Sequence, residues 1–176
     1  MNLRKIASEY VLGFLSVDDL PATGRALIEG GCDSPLLRQL AGETGEDLDE
    51  VRRLFLGAMR ELGVEMPSVR DAGSVVAQAI ASEVIAGAVT PYDGAKKIWD
   101  RLYTRWPELD QLRPFVGLAS EYEDDANHRE EYARDILAEC EKLIASAPQL
   151  HSPGEGEKGE EGGKGKGEKG VTSEWR

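Results

Sequence analysis

Two histidines and two cysteines are all that 176 residues hold, and that scarcity removes whole classes of chemistry. His128 and His151 stand apart, so no Ser-His-Asp or Cys-His arrangement can be assembled, and there is no glycine-rich phosphate loop. Carboxylates alone could do acid–base work, but nothing marks a pair for it. Strand-type alternation is almost absent, and no repeat occurs at solenoid periods. No run approaches the ~18 apolar residues of a membrane span. The opening "MNLRKIASEYVLGFL" has basic residues, but Glu9 and Tyr10 interrupt what a signal peptide keeps apolar. Cys32 and Cys140 have no metal-type pairing, and without a secretion signal they are expected to be reduced thiols in a cytoplasm.

Positive charge is the other shortage. Lys and Arg number 21 against 33 Asp and Glu, a formal net charge of −12. His151 to Arg176 holds six acids and five bases, so residues 1–150 carry −11. A body this acidic disfavours nucleic-acid phosphates and anionic membranes, and it favours basic protein partners or cations.

What is present is helical periodicity. The spacing predicts a first helix over Asn2–Leu15, with Leu3, Ile6, Tyr10, Val11, Phe14 and Leu15 on one side. A second starts at "SVDDLP", capped by Asp18 or Asp19, and ends at Gly30-Gly31. "DSPLLRQLAG" is a short third, with Ser34 as N-cap and Pro35 in the first position. A fourth spans Asp47–Leu62 and is stopped by Gly63, and a fifth runs from Ser68 to about Ala88 with Asp71 completing its cap. The sixth opens on "TPYD" and runs to Trp106. Phe115–Glu123 and Asn127–Ala145 complete the set, the last with Asp124 or Asn127 as cap and Glu130 in support. Beyond Pro148, "SPGEGEKGEEGGKGKGEKG" has no apolar residue and cannot offset its ordering entropy by burial. The expectation is an all-α fold, a single bundle of seven to eight helices over residues 1–147, with a disordered Gly/Glu/Lys-rich tail over 148–176.

Four places carry candidate function. "RQLAGETGEDLDEVRRLF" spaces Leu40, Ala41, Gly45, Val51 and Leu54 as a helix-turn-helix does. Any two-helix corner needs the same residues, however, and the second helix opens with Glu46, Asp47, Asp49 and Glu50 where base contacts would form. Those acids suit the positive end of a helix, and Arg52 and Arg53 are placed to pair with Asp49 and Glu50. Charge therefore argues for a structural corner, with Asp47, Asp49 and Glu50 as candidate contacts to a basic partner. Glu83 falls near the middle of the apolar arc of the fifth helix, among Val69, Ala72, Val75, Val76, Ala79, Ile80 and Ala86. A buried carboxylate there is a site residue or half of a structural ion pair.

"EYEDDANHREEY" gathers Glu121, Glu123, Asp124 and Asp125 ahead of His128, Glu130 and Glu131. Either aspartate could meet His128 across a helical turn. A di-iron bundle needs a second Glu-x-x-His, and a calcium loop needs alternating acids, a Gly and a distant Glu. Neither pattern occurs, so no metal site and no cofactor are expected, and the acids read as a solvated corner or a partner-facing patch. Finally, "IWDRLYTRW" spaces Trp99, Tyr103 and Trp106 as core residues, with Trp106 a candidate interface anchor if a ring is exposed.

The segments "DSPLLRQLAG" and "RPFVGLASEYEDD", with "TPYDGAKKIW" between them, resemble uncharacterised small all-helical proteins of high-GC Gram-positive bacteria, over about residues 1–146. The resemblance implies a fold and no chemistry, since its motifs are caps and corners. In character alone, an acidic helical protein without catalytic residues resembles bacterial immunity proteins, which neutralise a toxin by covering a basic surface. The leading expectation is thus a non-enzymatic acidic binding protein, immunity- or antitoxin-like. The alternatives are a small-molecule- or metal-dependent enzyme with a pocket around Glu83, and a helix-turn-helix regulator, which the charge disfavours.

Overall fold

Short polar side chains start most of the helices, at the positions the sequence marks. The computed structural model describes residues 2–146, and these form α1 (Leu3–Val11), α2 (Leu20–Glu29), α3 (Pro35–Gly42), α4 (Leu48–Glu61), α5 (Val69–Ile85), α6 (Pro91–Ile98), α7 (Arg113–Asp124) and α8 (Arg129–Ala145). The expected all-α class holds: there is no strand among the described residues. The expected tail lies outside them. Asn2, Ser34, Asp47, Ser68 and Thr90 each accept a backbone N–H from the first turn of the helix they precede. The Ser68 and Thr90 hydroxyls also donate to Asp71 and Asp93, both at 2.7 Å. Two expected caps are absent. Ser16, rather than Asp18 or Asp19, caps a 3₁₀ turn (Val17–Asp19) that feeds directly into α2. No side chain caps α8; Asp125 instead takes the Asn127 N–H at 3.0 Å, and the helix opens after His128.

One stop motif ends four helices. After α1, α2, α4 and α5 the chain turns left-handed at Gly13, Gly31, Gly63 and Gly87, where φ lies between 68° and 88°. The residue after each glycine returns its N–H to a carbonyl five residues back: Phe14 to Glu9, Cys32 to Leu27, Val64 to Met59 and Ala88 to Glu83. The last carbonyls of each helix are thereby satisfied. This ends α1 at Val11 instead of Leu15, and α5 at Ile85 instead of Ala88. Phe14 and Leu15 continue the apolar period but pack from beyond the turn, each against a different cluster of buried side chains. The sixth helix also stops early. After Ile98 it widens into a π turn (Trp99–Tyr103), with the Thr104 N–H and hydroxyl both on the Trp99 carbonyl at 3.0 Å.

The core divides in two. Leu20, Leu27, Leu37, Leu40, Val51, Leu54, Phe55 and Met59 fill a cluster among α2, α3 and α4, joined by Ile6 of α1. Val76, Ile80, Val84, Ile98, Leu102, Leu112, Phe115, Ile136 and Cys140 fill a second among α5–α8, joined by Leu12. α1 lies along α5 and places Ile6 in one cluster and its cap residue, Leu12, in the other. No helix among the described residues is long and apolar enough to cross a membrane.

Candidate functional site

The two acidic corners expected from the sequence turn out chemically different. At the start of α4, Asp47 is committed to the Asp49 and Glu50 N–H groups, each at 3.1 Å. Asp49 pairs with Arg52 at 3.2 Å, and Glu50 takes Arg53 in a two-pronged contact with its Nε at 2.7 Å. That pairing pulls the Glu50 carboxyl below the usual carboxylate range. The two helices meet as the spacing predicts, with Leu40, Val51 and Leu54 buried between them. What their corner presents is a capped helix start in which Asp49 and Glu50, two of its four acids, are matched by its own bases.

The α7–α8 corner divides its acids by role. Glu123 is exposed but partnered: it accepts the Tyr92 hydroxyl at 2.7 Å and lies 3.7 Å from Lys96. The Glu123 hydrogen bond, partial burial and nearby carboxylates together push the Tyr92 phenol up. Tyr92 in turn stacks on Tyr122, centroids 4.6 Å apart and planes 17° apart. Asp125 holds the turn through the Asn127 N–H and the His128 ring, whose Nδ1 is 2.6 Å away. Glu121 and Asp124 are exposed and make no ion pair among the described residues. The α4 and α7 corners rest on separate clusters, and the structure does not bring them together.

The Asp125–His128 contact predicts a pH window. Hydrogen bonding to Asp125, then its charge, holds the His128 pKa up, while His128 and the Asn127 N–H hold Asp125 down. The histidine's share of the contact is full below the ordinary imidazole range and is lost as pH rises through its raised value. The aspartate's share is present above the ordinary carboxylate range and is lost as pH falls through its lowered value. In an NMR titration the His128 ring should therefore have its midpoint above the ordinary ~6.5. Asp125→Asn should bring that midpoint back, and a wild-type midpoint at or below ~6.5 would refute the contact.

Glu83 departs from its expected place. It is half-buried, not buried, and its carboxylate makes no hydrogen bond or ion pair among the described residues. The reason is rotation of α5. Its buried face is Ala72, Gly73, Val76, Ala77, Ile80, Ala81 and Val84, centred about 80° from the apolar arc expected from the sequence, at about 100° per residue. Small residues draw the neighbours in: a Cβ on Gly73 would lie 2.6 Å from Leu109 Cδ1. Glu83 is left at the edge of that face.

Trp106 is also half-buried, edge-on to Phe14 at 5.9 Å with Arg105 over its ring at 6.0 Å, and neither Trp99 nor Tyr103 is exposed. Cys140 is a buried thiol pushed up to about 11 by burial and then by Glu139 and Glu141, so it is unreactive at neutral pH. Among the described residues, no three His, Cys, Asp or Glu side chains converge to hold a metal.

Two features were not visible in the sequence. Asp135 and Glu131 of α8 are joined around Tyr132 by Glu121 of α7, fourteen residues before Asp135, a convergence that no local motif marks. A cleft of about 410 Å³ opens where the first turns of α1 and α5 meet the end of α8, lined by residues scattered from Asn2 to Ser146. No family model matches the chain, and no curated protein or solved structure is significantly similar to it.

Proposed function

We propose that the protein acts by binding a basic protein surface through the α7–α8 corner. One observation carries this reading: Glu121 and Asp124 of α7 and Glu130 and Glu131 of α8 are exposed and make no ion pair among the described residues, and the charges of Glu121 and Glu131, after partial burial, help to push up the Tyr132 phenol. Carboxylates from two helices thus act on one point in space. Local bases cancel them only in part, since residues 121–135 hold seven acids against two arginines. Arg129 is turned to the Tyr122 carbonyl at 3.2 Å and lies over its ring, and Arg134 reaches the Glu130 carbonyl at 3.3 Å. The field that remains suits long-range attraction of a basic partner. Covering a basic toxin, as immunity proteins and antitoxins do, is one form such binding takes.

Affinity capture with the full chain, followed by titration of the purified partner, tests this. Binding should weaken at least tenfold between ~50 and ~300 mM salt. Glu121→Lys with Glu131→Lys should cost at least about tenfold more, while Asp49→Lys with Glu50→Lys should change affinity by less than about twofold. Capture of no partner, binding that ignores salt, or equal losses at the two corners would each overturn the proposal.

A further inference from the structure

We infer that the cleft between α1, α5 and α8 binds a small organic anion, a carboxylate or phosphate that also carries a hydroxyl or amino group. At about 410 Å³ its size matches a small-ligand site. Arg4 and Arg70 both line it, one from the first turn of α1 and the other from the first turn of α5. Neither forms an ion pair among the described residues, and the positive ends of the two helices add to their field. Guanidinium forks suit the planar or tetrahedral oxygens of a carboxylate or phosphate.

The lining beside Arg70 is set up by directed hydrogen bonds. The Ser74 hydroxyl donates to the Arg70 carbonyl at 3.1 Å, so its oxygen must accept from Gln111 Nε2 at 3.2 Å. Gln78 Nε2 donates to the Leu143 carbonyl at 3.3 Å, and Ser146 donates to the same oxygen. Both amides are thereby oriented with their carbonyl oxygens unpartnered among the described residues, as acceptors for a ligand's hydroxyl or amino hydrogens. Asp71, whose carboxylate takes the Ser68 hydroxyl, adds a further acceptor in the lining. Val75 and Leu143 supply the apolar wall. The site is independent of the acidic corner, which lies at the other end of α8, a helix about 25 Å long.

The test is an NMR titration of the full-length chain with sodium phosphate and, separately, sodium malate, each against sodium chloride at matched ionic strength. Saturable shifts confined to the amides around Arg4, Arg70–Gln78 and Gln111 are expected with at least one anion. Saturation with phosphate alone would mark a phosphoryl ligand, and with malate alone a hydroxy-carboxylate. Arg4→Ala with Arg70→Ala should weaken binding more than about tenfold, with an unchanged melting temperature in chloride. Arg4→Lys with Arg70→Lys should retain part of it. Shifts reproduced by chloride, no saturation by ~20 mM, or binding within about twofold in the double alanine variant would each overturn the assignment.

Discussion

Phe55→Ala should remove about 3–5 kcal/mol of stability, a large share of what a domain of this size has. Phe55 is fully buried in the first cluster, and its ring meets Tyr10 of α1 at 4.8 Å, tilted by 47°. Truncation leaves a cavity bounded by helices that three short links hold in place. The same experiment asks whether the two clusters melt together. Trp99 and Trp106 pack on the second cluster, and the first contains no tryptophan. Because α1 supplies Ile6 to one cluster and is capped by Leu12 of the other, tryptophan fluorescence should shift with circular dichroism in the variant. A fluorescence transition left at its wild-type midpoint would show two independent halves.

Gly94→Leu should cost about 3 kcal/mol, and Gly94→Ala about 1–2. Propensity alone predicts the reverse for alanine, since glycine inside a helix is about 1 kcal/mol worse. Gly94 is buried on α6, however, and a Cβ there would collide with Val84 Cγ2 of α5. A β-branched side chain held in a helix has little freedom to turn away. Adding Val84→Ala to Gly94→Ala should therefore recover stability, with a coupling of about 1 kcal/mol in a thermal or denaturant cycle. Gly117 of α7 is the control, with nothing within 4 Å of its added Cβ. Gly117→Ala should stabilise by about 0.5–1 kcal/mol. Loss at both glycines, or at neither, would contradict the packing account.

Helix starts were legible because capping requires specific atoms at a specific residue. Ser34, Ser68 and Thr90 could be placed without knowing their surroundings, whereas the caps expected for α2 and α8 do not form. Ends were less so. Periodicity alone does not distinguish Phe14 packing from within a helix from Phe14 packing after a turn, and only Gly13 marks the difference. The π turn leaves the apolar spacing of "IWDRLYTRW" intact and is therefore silent in the sequence. Glu83 was misplaced because the apolar arc was drawn through Val69, Val75, Ala79 and Ala86, whereas Gly73, Ala77 and Ala81 turn the buried face away from it by letting neighbours approach. At the candidate sites, contacts three residues apart were readable, as with Asp125 and His128 or Asp49 and Arg52. Convergence across helices was not: nothing in the order of residues brings Asp135 to Glu121, or Arg4 to Arg70.

The position of α1 also sets an order of events in folding. Most helix contacts join sequence neighbours, as between α2 and α3, α3 and α4, α6 and α7, or α7 and α8. Such pairs close short loops and form early. The seam between α1 and α5 must wait until the whole chain from Leu12 to Ser68 has been gathered in, and the seam between α5 and α8 waits on a loop of similar reach. α5 is therefore where both long-range seams meet, one side of it held by α1 and the other by α8. Until those two seams close, the faces of α1 and α8 that α5 covers stay open, and that interval is when the chain is most exposed to a wrong neighbour.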